Sequence, residues 1–193
     1  RKGWENYWRV DLGPVPQWVA LARKLPTGRE QVKERDKLFA AADGGNKGYL
    51  SLAEIEAMLQ RYKVEVNRLT GDERGLKDSK PAILRAYQAA KDVSGRLGTR
   101  PDPEAQAAGI DTSELVSRDE FRFLLVALQR YFELLAMFLT IDTTDDQRIG
   151  LDEFRRAAPA FRDWGLGEAG TRGGYIVRNA KAEFAKIDTN HQG

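Results

Sequence analysis

The run Asp142-Thr143-Thr144-Asp145-Asp146-Gln147-Arg148-Ile149-Gly150-Leu151-Asp152-Glu153 places oxygen-bearing side chains at its first, third, fifth and last positions. That alternation has a physical reason. A hard divalent cation is held by several oxygens at short range, and a short loop brings them together only from alternate positions, closed by a bidentate carboxylate from the next helix. Asp142, Thr144, Asp146 and Glu153 occupy those positions, the backbone carbonyl of Arg148 takes the seventh, and Gly150 leaves the ninth to a bridging water. The set of hard oxygen donors names calcium as the expected ion. Ile149, at the eighth position, is expected in a short strand that ties this loop to a partner loop. One position departs from the pattern. The sixth is Gln147, where the sharp turn favours glycine, so a residue with a Cβ is expected in the left-handed region at a cost of about 1 kcal/mol.

The flanks support the reading. Phe138 precedes Asp142 by four residues and Phe154 follows Glu153, which puts an aromatic on the inward face of both the entering and the exiting helix of an EF-hand. The same grammar recurs from Asp43 to Glu54, with Phe39 four residues before, Gly48 at position six, Leu50 at position eight and Ile55 after the closing glutamate. Its ligands are poor. Position three is Gly45 and position five is Lys47, a cation where an ion needs a carboxylate. Asp43, Tyr49, Ser51 and Glu54 are therefore read as vestigial metal positions. A third copy starts at Asp188 after Phe184 and reaches only Gly193; Asp188, Asn190 and Gln192 fill its first, third and fifth positions. The fourth copy shows only its second half, Leu115 to Phe121. With Glu120 as the closing residue its first position is Gly109, so it reads as a partner loop without metal in which Val116 pairs with Leu50. Such repetition predicts an all-α chain built from two pairs of EF-hand helix-loop-helix units with short loop-pairing strands.

Three segments follow from this. Residues 1–28, with Trp4, Tyr7, Trp8, Pro14, Pro16 and Trp18, read as an aromatic, extended N-terminal arm, either a docking or membrane-interface segment or a cover for an apolar groove of the chain itself. Residues 29–128 read as the N-terminal pair with degenerate loops, and 129–193 as the C-terminal pair with an incomplete fourth loop. Helices are expected over 29–42, 52–69, from Pro81 to about Leu97, and from Tyr175 to Ile187. The run from Arg118 to Ile141 holds no glycine or proline, so two helices are expected to be continuous there or kinked near Gln129. Pro159 is expected to kink or end its helix, and Gly165 to Gly174 to form a link.

Composition narrows the function. The chain has 193 residues with no cysteine and one histidine, His191, in the terminal loop. Thiolate metal sites, cysteine nucleophiles and histidine-based hydrolase constellations are excluded, and no enzymatic activity is expected. The 31 basic and 29 acidic residues give a net charge of +2, which argues for few working acidic loops. No apolar run is read as approaching a membrane span, there is no secretory signal, and no nucleic-acid partner is expected. The sequence opens on Arg1 rather than Met, so the true N-terminus, where a lipid-attachment signal for a membrane would lie, is out of view.

The block Glu120-Phe121-Arg122-Phe123-Leu124-Leu125, then Phe132 to Phe138, Ile141-Asp142, and Asp152-Glu153-Phe154-Arg155-Arg156-Ala157-Ala158-Pro159 running on to Trp164-Gly165 resemble the flagellar calcium-binding proteins, the calflagins. Weaker matches are Leu25-Pro26 ahead of Leu38-Phe39 with Asp43, and Phe184 to Asn190. The likeness implies four EF-hands, calcium in the C-terminal pair, a metal-free N-terminal pair, and an acylated, lysine-bearing N-terminus that reaches the flagellar membrane in a calcium-dependent way. It implies an intracellular protein of the flagellum or the cytoplasmic face of its membrane. Gln147, the incomplete fourth loop and the missing acylation signal depart from the family pattern.

Three roles fit these features. A calcium-responsive adaptor would expose apolar surface for a partner helix when the ion binds. A constitutive scaffold would use the hands only as helix framework inside a flagellar or other assembly with little or no metal. A calcium buffer is disfavoured, because one or two imperfect loops have little capacity.

Overall fold

The glycine- and proline-free run from Arg118 to Ile141 forms one uninterrupted helix of 24 residues, the longest element among those described. The computed structural model describes residues 17–70, 79–97, 107, 109, 111–163 and 179–190. In chain order its helices are α1 (Gln17–Arg23), α2 (Val32–Ala42), α3 (Leu52–Thr70), α4 (Lys80–Leu97), α5 (Arg118–Ile141), α6 (Leu151–Asp163) and α7 (Ala180–Ile187). Two strands of two residues each, β1 (Tyr49–Leu50) and β2 (Val116–Ser117), complete an all-α chain. By length and composition α5 could cross a bilayer, with a mean hydropathy of 1.6 over its most apolar window, contrary to the expectation that no run comes close. Its burial gives another reason for the apolar content. Phe121, Leu124, Leu125, Leu128 and Phe132 recur at helical spacing and are at most 1% exposed, so they are core residues of the protein itself.

The described chain divides into two units, one up to Glu133 and one from Leu134 onward, with the boundary inside α5. In the first unit β1 and β2 run antiparallel, with Leu50 opposite Val116 and Tyr49 opposite Ser117. Leu50 and Val116 are fully buried, the cross-strand pair expected from their shared eighth position. Phe39 of α2 and Phe121 of α5 meet edge to face at 5.2 Å, and the Arg118 guanidinium lies 4.8 Å from the Phe39 ring centre. This core joins the residue before one loop to the residue after another.

Two expectations for the start of the chain need correction. Residues 17–28 are not an extended arm. Gln17–Arg23 is helical, Val19, Leu21, Ala22 and Leu25 are buried, and Arg23 Nε lies 3.0 Å from Glu133. The turn that follows is held by side chains that donate to its carbonyls. Arg122 Nε donates to the Thr27 carbonyl at 3.0 Å, and Arg35 donates to the Pro26 and Gly28 carbonyls. Residues 1–16 lie outside the described residues. Helix α2 starts at Val32 rather than Arg29, because Gly28 to Gln31 form a turn in which the Gly28 N–H donates to the Gln31 side chain at 2.9 Å.

In the second unit α6 runs through Pro159 to Asp163 without ending there. The proline gives up one backbone hydrogen bond, and burial of Ala158 and Phe161 on either side holds the helix on its partners. Met137, Ile141, Phe154, Ala158, Phe161 and Ala180 form a cluster with Ile149 and Phe184 packed against it. Ile149 is half-buried but not in a strand, unlike the expected pairing residue. Helix α7 is described from Ala180; residues 175–178, Trp164 and the glycine-rich 165–174 lie outside the described residues.

Candidate metal centre

Helix α5 ends in the last turn before Asp142, whose N–H still donates to the Phe138 carbonyl at 2.8 Å. The chain then turns sharply and re-enters helix at Leu151, two residues before Glu153, so the ends of one loop are carried by two helices. Asp142 and Glu153 are buried although both are acidic. Buried carboxylates need partners, and the loop backbone supplies them. The Gln147 N–H donates to Asp142 at 2.9 Å. Glu153 accepts from the N–H groups of Gly150 at 2.9 Å, Thr143 at 2.9 Å and Thr144 at 3.0 Å.

Thr144 links the two carboxylates, with its hydroxyl 3.4 Å from Asp142 Oδ1 and 3.1 Å from Glu153 Oε1. Positions one, three and twelve of the loop therefore face one point. Position five is turned aside. Asp146 is exposed and accepts from the Arg148 N–H at 2.9 Å, a local turn of its own. Among the described residues no three His, Cys, Asp or Glu side chains gather as a ready metal cluster. The loop brings two acids and one hydroxyl together, with the Arg148 carbonyl and Gly150 in the following stretch.

Gln147 takes φ +64° and Asp145 φ +59°. The expected left-handed conformation at the sixth position is present, with glutamine accepting it. The Asp43 loop has the same signature, with Asn46 at +48° and Gly48 at +82°. Equal positions in the two loops thus share their backbone turns although only one has glycine at the sixth.

Glu153 is held down to about pKa 2. The Gly150 N–H bond is the largest cause; burial works the other way, and the Thr144 and Thr143 donors add to the lowering. Sequence reasoning missed two contributors here. Thr143 donates its hydroxyl to Glu153 at 3.1 Å and receives the Arg156 guanidinium at 3.1 Å. Neither lies at a ligand position, so the ligand pattern carries no signal for them.

In the first loop Asp43 accepts from the Lys47 N–H at 2.9 Å and the Gly48 N–H at 2.7 Å. Glu54 accepts from the Ser51 N–H at 2.9 Å and its hydroxyl at 2.8 Å, and its other oxygen meets Lys47 Nζ at 2.7 Å. Partial burial pushes Glu54 upward, yet the Lys47 and Ser51 bonds together hold it below the usual carboxylate range. Tyr49, whose carbonyl would be the seventh ligand, is a buried strand residue. The cation-for-carboxylate exchange read at Lys47 is thus a direct contact. In the last copy the Asp188 N–H donates to the Phe184 carbonyl at 2.8 Å, Asp188 is half-buried and Asn190 exposed, while Gln192 and His191 lie outside the described residues.

No protein-family model matches the chain. Flagellar calcium-binding protein TB-44A of Trypanosoma brucei brucei is 30% identical over 179 residues, 91% of this chain and 37% of that protein. Flagellar calcium-binding protein TB-24 of the same organism is 30% identical over 111 residues, 58% of this chain and 42% of that protein. The flagellar calcium-binding protein of Trypanosoma cruzi is 24% identical over 178 residues, covering 91% of this chain and 72% of that protein. The chain spans less than half the length of the two Trypanosoma brucei relatives. Several relatives of one name, two of them matched over 91% of the chain, make this chain a homologue of the flagellar calcium-binding proteins, the calflagins.

Proposed function

We propose that this chain is a flagellar calcium-binding protein that takes its ion in the 142–153 loop and acts as a calcium-responsive adaptor. One observation carries the reading. Thr144 stands between Asp142 and Glu153, so that three of the loop's ligand positions already point at one centre. Asp142, Thr144, Asp146, the Arg148 carbonyl, a water held at Gly150 and Glu153 would hold the ion. The names of the relatives support calcium and the flagellum.

The hydrogen bonds that Glu153 accepts from Thr143 and Thr144 all fall on Oε1, one of the two oxygens an ion would need. Binding therefore exchanges those bonds for the ion, drawing Glu153 and the start of α6 toward the loop centre. Phe154 is the next residue, and it packs on Phe161 at 5.1 Å and Phe184 at 5.5 Å. A movement of Glu153 is thus transmitted to the apolar cluster of this unit. The adaptor reading follows: the ion changes how much of that cluster faces solvent, and a partner's apolar helix takes it up. The scaffold reading draws support from the first loop, where Lys47 already fills the acidic end.

Calorimetry on single variants tests the site. Glu54→Gln should leave calcium heats almost unchanged, while Glu153→Gln should abolish the tightest site. Loss of heat in the first variant, or an unchanged titration in the second, overturns the assignment.

A further inference from the structure

The run 109–120 has no first ligand, yet its closing half is intact. By position, Glu120 is the closing carboxylate and the Leu115 carbonyl is the seventh-position oxygen, two groups that a calcium ion would engage. An ammonium lies on both. Lys91 Nζ, from the fourth turn of α4, is 2.5 Å from the Leu115 carbonyl and 3.1 and 3.4 Å from the two Glu120 oxygens, with the Thr112 carbonyl also at 3.4 Å.

The pair is shielded from water, with 7% of the Glu120 side chain and 21% of the Lys91 side chain exposed. A buried carboxylate stripped of its countercharge is strongly unfavourable, so Lys91 is needed wherever Glu120 stays. The closing residue also keeps its usual station. Glu120 accepts the Ser117 N–H at 2.6 Å, as Glu153 accepts that of Gly150 and Glu54 that of Ser51, each three residues back at 2.9 Å. The first loop repeats the device in a more solvated form, with Lys47 on Glu54 from inside the loop and 47% of the lysine side chain exposed.

We propose that Lys91 is a resident cation standing at the calcium position of the second hand, with Lys47 its counterpart in the first, so that the unit up to Glu133 holds its helix arrangement without calcium. The inference rests on reading 109–120 as a hand, which the Leu50 and Val116 pairing supports. A divalent ion would have to displace a charge tethered to the same chain, whose local concentration is never diluted. Two cations cannot share the position, because their repulsion at such range exceeds what one carboxylate returns.

The test uses the full chain carrying Glu153→Gln, which silences the 142–153 loop, and reads hydrogen exchange over 111–128. With Lys91 intact, millimolar calcium should leave exchange unchanged. Adding Lys91→Ala should accelerate exchange there about tenfold or more, and millimolar calcium or methylammonium should slow it again; Lys91→Arg should behave as the parent. The double change Lys91→Met with Glu120→Gln removes both charges and should fold and ignore both cations.

Calcium protection with Lys91 in place overturns the proposal. So does unchanged exchange in Lys91→Ala, or a loss of structure there that neither cation restores, which would leave an ordinary ion pair. A cation response in the double variant would put the cation elsewhere and overturn it too. Failure of the 142–153 reading would show in calorimetry on Glu153→Gln itself and leaves this test intact.

Discussion

Gln147 is the residue at which the chain departs most from an ideal calcium loop, and its φ of +64° shows that the loop keeps the turn rather than avoiding it. Strain of about 1 kcal/mol is stored in a side chain that has nothing to gain from the left-handed region. The turn is already in place while Glu153 is held by the loop's own donors, so the strain weighs on the fold rather than on binding. Gln147→Gly should raise the stability of the second unit by about 1 kcal/mol in denaturant unfolding, and a lower stability would show that the glutamine is favoured there. At the same scale, Glu54 gives the first unit a pH dependence. Its folded pKa lies below the ordinary 4.5, so the stability it contributes is present above that value and is lost as pH falls below it. Melting temperatures from about pH 6 down to about pH 3 should fall more steeply for the parent than for Lys47→Met, which lacks the partner that holds Glu54 down. Parallel curves would mean that the contact carries no weight. Much of this scale was legible, because ligand positions are read by counting: Asp142, Thr144 and Glu153 converge where the count puts them. Asp146 does not, since a carboxylate two residues before an N–H can close a small turn of its own, and counting is blind to that competition.

Elements divide in the same way. The helices α3, α4 and α5 follow apolar spacing and the placing of glycine and proline, and β1 meets β2 at the residues that the repeat nominates. Helix α1 was hidden by its own composition, because prolines and tryptophans around it outweighed the short apolar spacing from Val19 to Leu25, and seven residues carry too few turns for periodicity to register. Helix α6 survives Pro159 because tertiary packing outweighs one missing bond. Phe154 is the centre of that packing, buried and in contact with rings on both α6 and α7. Phe154→Ala should lower the stability of the second unit by about 3 kcal/mol in denaturant unfolding. A loss under about 1 kcal/mol would mean that the cluster is easily refilled.

Across the whole molecule, charges of the chain's own lysines occupy the acidic ends of two loops, and in a third loop backbone donors and hydroxyls engage Asp142 and Glu153. Hydrogen exchange on the full chain should divide accordingly. Calcium should slow exchange over 138–154 and leave 36–60 and 111–128 as they were. Uniform protection would mean that the ion acts on the chain as one body. Lys91 could not have been found by reading loops, since it lies 29 residues from Glu120 on another helix. Only packing of α4 against the loop brings it there.

The left-handed turns also bear on speed. Asp145 and Gln147 already hold the φ angles that the loop's bend requires, so on the proposed reading an arriving ion would meet a backbone that needs no further turning. Capture would then wait only on the release of Glu153 from Thr143 and Thr144. A loop bent in advance would answer a rise in calcium without first having to fold.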